Sequence, residues 1–258
     1  MQDLLSELDD RVLYITFNRV EKHNAFDDTL LHALQEVLDD AETNERVRVI
    51  VLKANGPHFS AGADVAWMQR MITLSEADNR ADATILARVI YTLYKSSKPT
   101  LAMVQGAALG GGAGLVAACD IAIAADSAHF CFSEVKLGLI PAVISPYVIR
   151  AIGERAATWL FMSAEPFDAQ RALSLQLVHH CVPENTLLLT TQNYAKKLSK
   201  LAPGALCASK ALVRDVAGRA IDDTLQALTA TKIAHQRVSA EGQRGLRAFL
   251  NKEPLDWN

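Results

Sequence analysis

The chain has 258 residues, half of them hydrophobic, and a formal net charge of −3, enough for a sizeable core in one large domain. The charge balance and the lack of a basic stripe argue against an electrostatic nucleic-acid binder. No segment reaches the ~18 uninterrupted apolar residues of a membrane span. The opening MQDLLSELDD is acidic and carries neither an apolar nor an Arg-rich leader pattern. Together with four scattered cysteines and no C-x-x-C pair, this predicts a reduced, cytoplasmic protein.

In chain order, LLSEL and VLYITFN flank Asp9-Asp10-Arg11 and read as a hairpin. Leu30, Leu31, Leu34, Val37, Leu38 and Ala41 then recur at helical spacing. Val47 to Ala54 reads as a buried strand, ended by Asn55-Gly56-Pro57. A helical stretch from Glu76 to Ser96 leads to Pro99 and a second buried strand, Thr100 to Val104. After a glycine run come a short helix, Gly112 to Cys119, a third strand, DIAIAA, and a short one at Phe130 to Phe132. Strands and helices that alternate, with the strands continuously apolar, indicate an α/β layer architecture. Beyond Pro183 the period is helical only, which divides the chain into an α/β core over 1–183 and a helical region over 184–258.

The glycine run, Gly110 to Gly112 with Gly114 beyond it, raises the question of chemistry. A dinucleotide fingerprint fails because the glycines do not follow directly on the strand. A P-loop fails because no Gly-Lys-Ser/Thr is present. A helix N-terminus still offers unpaired N–H groups to a carbonyl gaining negative charge. HFSAGADVAWM provides a second such loop, where Ala61, Gly62 and Ala63 let a ligand approach the main chain. One N–H from each loop makes a candidate oxyanion hole. Glu134, among Phe130, Phe132, Val135 and Leu137, supplies a partly desolvated proton-transfer group. His179-His180 lacks a third ligand and reads as a strand end, not a metal site.

NRVEKHNAF, HFSAGADVAWM, VQGAALGGGAGLVAACDIAIAA, FSEVKLGLIPA and RAFLNKEP together resemble the enoyl-CoA hydratase/isomerase (crotonase) family over almost the whole chain. The resemblance implies a spiral of ββα units with a helical C-terminal trimerisation region, as a homotrimer or a dimer of trimers. It implies an acyl-CoA thioester substrate, with coenzyme A part of that substrate and no further cofactor or metal. By the same resemblance the Ala63 and Gly111 amides hold the enolate-like oxygen and Glu134 is the acid/base. Lys22 and Ala25 border the CoA, whose adenine end lies along Ala61 and Ala63. Phe249 and Lys252 reach the CoA, often from a neighbouring subunit. Gly110 and Gly112 make room for the thioester, and Asp64 is counted with the substrate contacts.

Familiar hydratases of that family share the work on water between two glutamates, and the first position is Gly114 here. A double-bond isomerase manages with one carboxylate. Asp64, Ser145 and Tyr147 are candidate stand-ins, each with a local reading as cap, cap and packing residue. The GADVAWM segment, Gly114 and GLIPAVISPYVIRAIGERAA look like bacterial hydratases of branched, methylglutaconyl-type acyl-CoA in leucine and isoprenoid breakdown. The expectation is therefore a hydratase. An isomerase and a non-catalytic acyl-CoA or RNA-binding member stay open.

Overall fold

The computed structural model describes residues 2–257. Its strands are β1 (Leu4–Asp9), β2 (Val12–Phe17), β3 (Val49–Ala54), β4 (Thr100–Val104), β5 (Ala107–Leu109), β6 (Ile121–Ala125), β7 (His129–Cys131), β8 (Phe167–Asp168) and β9 (His180–Val182). Its α-helices are α1 (Asp28–Thr43), α2 (Val65–Met71), α3 (Glu76–Lys95), α4 (Gly111–Ala118), α5 (Ser145–Ile152), α6 (Glu154–Ser163), α7 (Ala169–Ser174), α8 (Glu184–Ser199), α9 (Pro203–Val216), α10 (Asp223–Val238) and α11 (Ala240–Asn251).

Asp10 and Arg11 both take positive φ (41° and 69°) and close the β1–β2 hairpin, the backbone twist that suits a tight hairpin. The remaining pairings of the large sheet are parallel, in the order β1-β2-β3-β4-β6-β9. Residues along β2, β3, β4 and β6 alternate between two apolar cores, as strand geometry requires. Leu13, Ile15, Ile50, Leu52, Ala102 and Val104 face α1 and α3 with the larger core. Val12, Tyr14, Val49, Val51, Leu101 and Met103 face the opposite way, onto Leu187 and Ala195 of α8. Burial on both faces is why these strands read as continuous apolar runs. α8, the first helix of the expected C-terminal region, thus covers the second face of the sheet.

A smaller sheet, β5-β7-β8, stands apart from the large one. It joins to the loop after β3 through a single bridge, Ser60 to Ala108. Several elements exceed the expected set: α2, β5, α5, α6, α7, β8 and β9. Glu134 follows β7 and opens a 3-10 turn over Glu134–Leu137. α4 begins at Gly111, one residue before the expected start.

Candidate active site

Two loops meet at the head of α4. Phe26 receives and gives backbone bonds to its neighbours across the gap, Phe26 N–H to Gly62 O and Asp64 N–H to Phe26 O, both at 2.9 Å or less. In that parallel bridge the N–H of the intervening Ala63 turns the other way. Gly111 is the first residue of α4, where no intrahelical acceptor exists. Neither the Ala63 nor the Gly111 N–H has an acceptor among the described residues. The loops are in contact, since a Cβ at Gly62 would lie 3.0 Å from Leu109 O. A Cβ at Gly111 would lie 2.4 Å from Phe26 Cζ. Gly111 is therefore bare because Phe26, which anchors the Ala63 loop, presses against it.

Gly110 takes φ 49°, a conformation that disfavours any side chain. A Cβ there would also lie 3.1 Å from Glu134 Oε1. The carboxyl group thus sits beside the glycine loop, and its Oε2 is buried without a hydrogen-bond partner. Burial pushes the Glu134 carboxyl above its ordinary pKa, opposed only by its own backbone N–H. An orphan buried oxygen on a raised carboxylate suits proton transfer to something bound there. Gly112, expected to make room for the ligand, instead faces Ser60: a Cβ there would meet Ser60 Cβ and O at 2.9 Å. Its role is close packing of the two loops.

Asp64 is committed to partners of its own. Its side chain accepts from Ala66 N at 2.8 Å and caps α2. It also pairs with Lys22 Nζ at 2.8 Å and with Arg19 at 3.3 Å. The Lys22 hydrogen bond is the first cause of an Asp64 pKa below the ordinary carboxylate range. Committed in this way, Asp64 is not available as a second catalytic carboxylate. A group with a lowered folded pKa stabilises above its unfolded pKa, and that stability is lost as pH falls through the folded pKa. Asp64→Ala is therefore expected to cost about 2 kcal/mol in urea unfolding at neutral pH. The difference should shrink on acidification; a cost that stays constant down to acid pH counts against it.

Arg19 and Asn24 are two organising residues that spacing alone did not single out. Arg19 is 4% exposed and also pairs with Asp3 and Asp27. It donates to Ala25 O at 2.9 Å, which ties down the loop of Lys22 and Ala25. Asn24 donates to the carbonyls of Asn55 and His58 and accepts from Arg19 N–H. The signal present in the sequence was a short acid- and amide-rich loop, which also suits a solvated turn. Ala61 N–H is bonded to His23 O. Lys22 stays about half exposed.

The stand-in candidates and the distal pair complete the set. Ser145 Oγ donates to Ala142 O at 2.9 Å, within its own turn. Tyr147 packs edge-on against Tyr94, with ring centroids 5.4 Å apart. At Gly114, where a second glutamate would stand, a Cβ would lie 2.2 Å from Ile144 Cγ2. The space is filled by an apolar side chain from the segment entering α5. Phe249 is 81% exposed and, like Lys252, lies on or just beyond α11, which packs on α9 and α10. Among the described residues no group of three or more His, Cys, Asp or Glu side chains forms a metal site. Among the described residues no helix is long and apolar enough to cross a membrane. His179 Nδ1 accepts from Ala122 N–H at the end of the sheet.

The profile of the enoyl-CoA hydratase/isomerase family matches residues 7–258. Among curated relatives, the 2,3-dehydroadipyl-CoA hydratase of Escherichia coli is 32% identical over all of this chain and 99% of its own. Among solved structures, a Legionella pneumophila enoyl-CoA hydratase/isomerase (crotonase) superposes with a TM-score of 0.96 at 62% identity, covering 99% of both chains. A Shewanella pealeana enoyl-CoA hydratase gives 0.94 at 44% identity, covering 98% of this chain and 94% of its own. The chain belongs to the enoyl-CoA hydratase/isomerase family and has the crotonase fold with its helical C-terminal region. It is an enzyme of that lyase and isomerase family.

Proposed function

We propose that the protein adds water across the double bond of a 2-enoyl-CoA thioester. The observation that carries this reading is the buried, unpartnered Glu134 oxygen beside the glycine loop, where the Gly111 N–H, like that of Ala63, has no acceptor among the described residues. In the forward step Glu134 takes a proton from water as the hydroxyl oxygen bonds to C3. The electron pair of the double bond moves onto the thioester oxygen, held by the Ala63 and Gly111 N–H groups. Glu134 then returns the proton to C2 and regains its charge. One carboxylate therefore suffices, and coenzyme A enters and leaves as part of the substrate.

The acyl group is proposed to be branched, of methylglutaconyl type. Ile144 fills the space at Gly114 with apolar atoms, so an acidic acyl chain meets no fixed carboxylate from that position. Lys22, Ala25 and Ala61 border the CoA in this reading. Phe249 and Lys252 reach it from a neighbouring copy in a trimer or hexamer, in the cytoplasm. The same contact at Gly114 favours a second reading, an enoyl-CoA isomerase in which Glu134 moves one proton along the acyl chain.

Separate incubations with 2-enoyl-CoA, 3-enoyl-CoA and methylglutaconyl-CoA, followed by product mass and by the absorbance of the conjugated 2-enoyl thioester, decide between them. A product heavier by one water from a 2-enoyl-CoA is the expected result. Conversion of the 3-enoyl-CoA without gain of water selects the isomerase. If every thioester is returned unchanged, both readings fail.

A further inference from the structure

We infer that His58 is a positioning residue which locks the two oxyanion loops in register, its ring standing in for a missing main-chain carbonyl. The inference rests on the proposed oxyanion hole and deepens it.

The seam between the loops is a short backbone ladder. Phe59 N–H donates to Gln105 O, Ser60 N–H to Ala107 O and Leu109 N–H to Ser60 O, all at 2.9 Å. His129 N–H donates to Gly106 O on the other side of β5. In that parallel pairing Ala107 turns its own N–H and C=O away from β7 and toward the His58–Ser60 segment. The Ala107 C=O is taken by Ser60. Continuing the ladder would bring the Ala107 N–H to the His58 carbonyl, but that carbonyl accepts from Asn24 Nδ2 at 2.7 Å. The ring supplies the acceptor instead: Ala107 N–H donates to His58 Nδ1 at 3.1 Å.

Gly106 makes the approach possible. It takes φ 55°, and a Cβ there would lie 1.9 Å from Pro57 O and 2.7 Å from His58 Nδ1. Ala107 opens β5, which runs directly into Gly110 and Gly111, while His58 begins the segment that ends at Ala63. One hydrogen bond therefore ties the strand behind one oxyanion donor to the loop behind the other. An error of ~1 Å between such donors is enough to weaken a transition-state contact.

The bond demands a bare Nδ1, so the neutral ring carries its proton on Nε2. The groups whose charge bears on it are His23, its ring centroid 5.0 Å away, and His129 at 6.3 Å, with no acidic neighbour opposing them. Burial, then these two rings, hold His58 below the ordinary imidazole pKa. The acceptor thus stays available at neutral pH.

The test compares two amides that place their oxygen differently. In His58→Asn the Oδ1 occupies the position of Nδ1; in His58→Gln the oxygen lies one atom further out. H58N is expected to keep kcat within about threefold of wild type, and H58Q to lose about tenfold or more with KM changed less. Amide hydrogen exchange over residues 58–64 and 105–112 should rise in H58Q and not in H58N. Equal behaviour of the two variants in exchange overturns the inference, whether or not the protein hydrates a thioester. A drop confined to KM, with kcat unchanged in H58Q, also overturns it. A wild type that turns over no enoyl-CoA, combined with the expected exchange difference, defeats the proposed function and leaves the register lock standing.

Discussion

Glu134→Gln is expected to lower turnover of an enoyl-CoA thioester by at least about 100-fold. Binding of the thioester should survive, because the two candidate oxygen-holding donors are backbone N–H groups that the substitution leaves in place. The same variant should gain thermal stability at neutral pH. The fold holds the Glu134 carboxyl above its ordinary pKa through burial. Its stabilising contribution is therefore fully present below the unfolded pKa and lost as pH rises through the folded pKa. Glutamine does not ionise and escapes that loss, so the difference in Tm should shrink on acidification. In the proposed hydration the working base is the carboxylate, which places the expected acid limb of kcat/KM above the usual carboxylate range. Near-wild-type turnover by E134Q would remove Glu134 from the mechanism.

Gly114→Glu, the substitution that writes in a second carboxylate, is expected to destabilise the protein by about 3 kcal/mol or more. A Cβ at this position would overlap Ile144 Cγ2 at 2.2 Å and Ile144 Cβ at 2.7 Å. Those atoms belong to a fully buried residue, 2% exposed, in the larger core. Ile144→Gly removes both of them, at the cost of a cavity. The double variant G114E/I144G should therefore be more stable than the sum of the two single effects by at least about 1 kcal/mol. Urea unfolding of all four proteins in the cycle measures this coupling. Strictly additive losses would mean that Ile144 does not exclude a side chain from position 114.

The parts of this fold that could be read from the chain share one physical cause. β2, β3, β4 and β6 are buried on both faces, so their apolar runs carry a signal independent of context. α1 and α3 have the period and the capping residues, Asp27 and Ser75, to mark their starts. The segment between Pro141 and Val182 was opaque because it is built of short pieces: α5, α6 and α7, with β8 and β9 only two or three residues long. Their pairing is decided by distant partners, which no local window contains.

The site divides in the same way. The two bare loops and Glu134 stand out because such chemistry requires bare backbone or a desolvated acid; the choice of Ala63 and Gly111 within those loops comes from the family resemblance. Arg19, Asn24 and His58 do not stand out, since a buried arginine with three acids and an ordinary surface arginine look alike in one dimension. Nothing in the sequence linked Ile144 to Gly114; only packing reveals that one fills the space of the other.

Placing α8 on the second face of the sheet has a consequence for biosynthesis. The strands that need it emerge early, Val12 and Tyr14 first, then Val49 and Val51, Leu101 and Met103. Their cover, Leu187 and Ala195, is translated only after all of them. A nascent chain of this protein therefore carries an open apolar sheet surface through most of its synthesis. Folding of the core is in that sense completed from its C-terminal side, and the growing chain is a natural client for chaperones until Ser199 has left the ribosome.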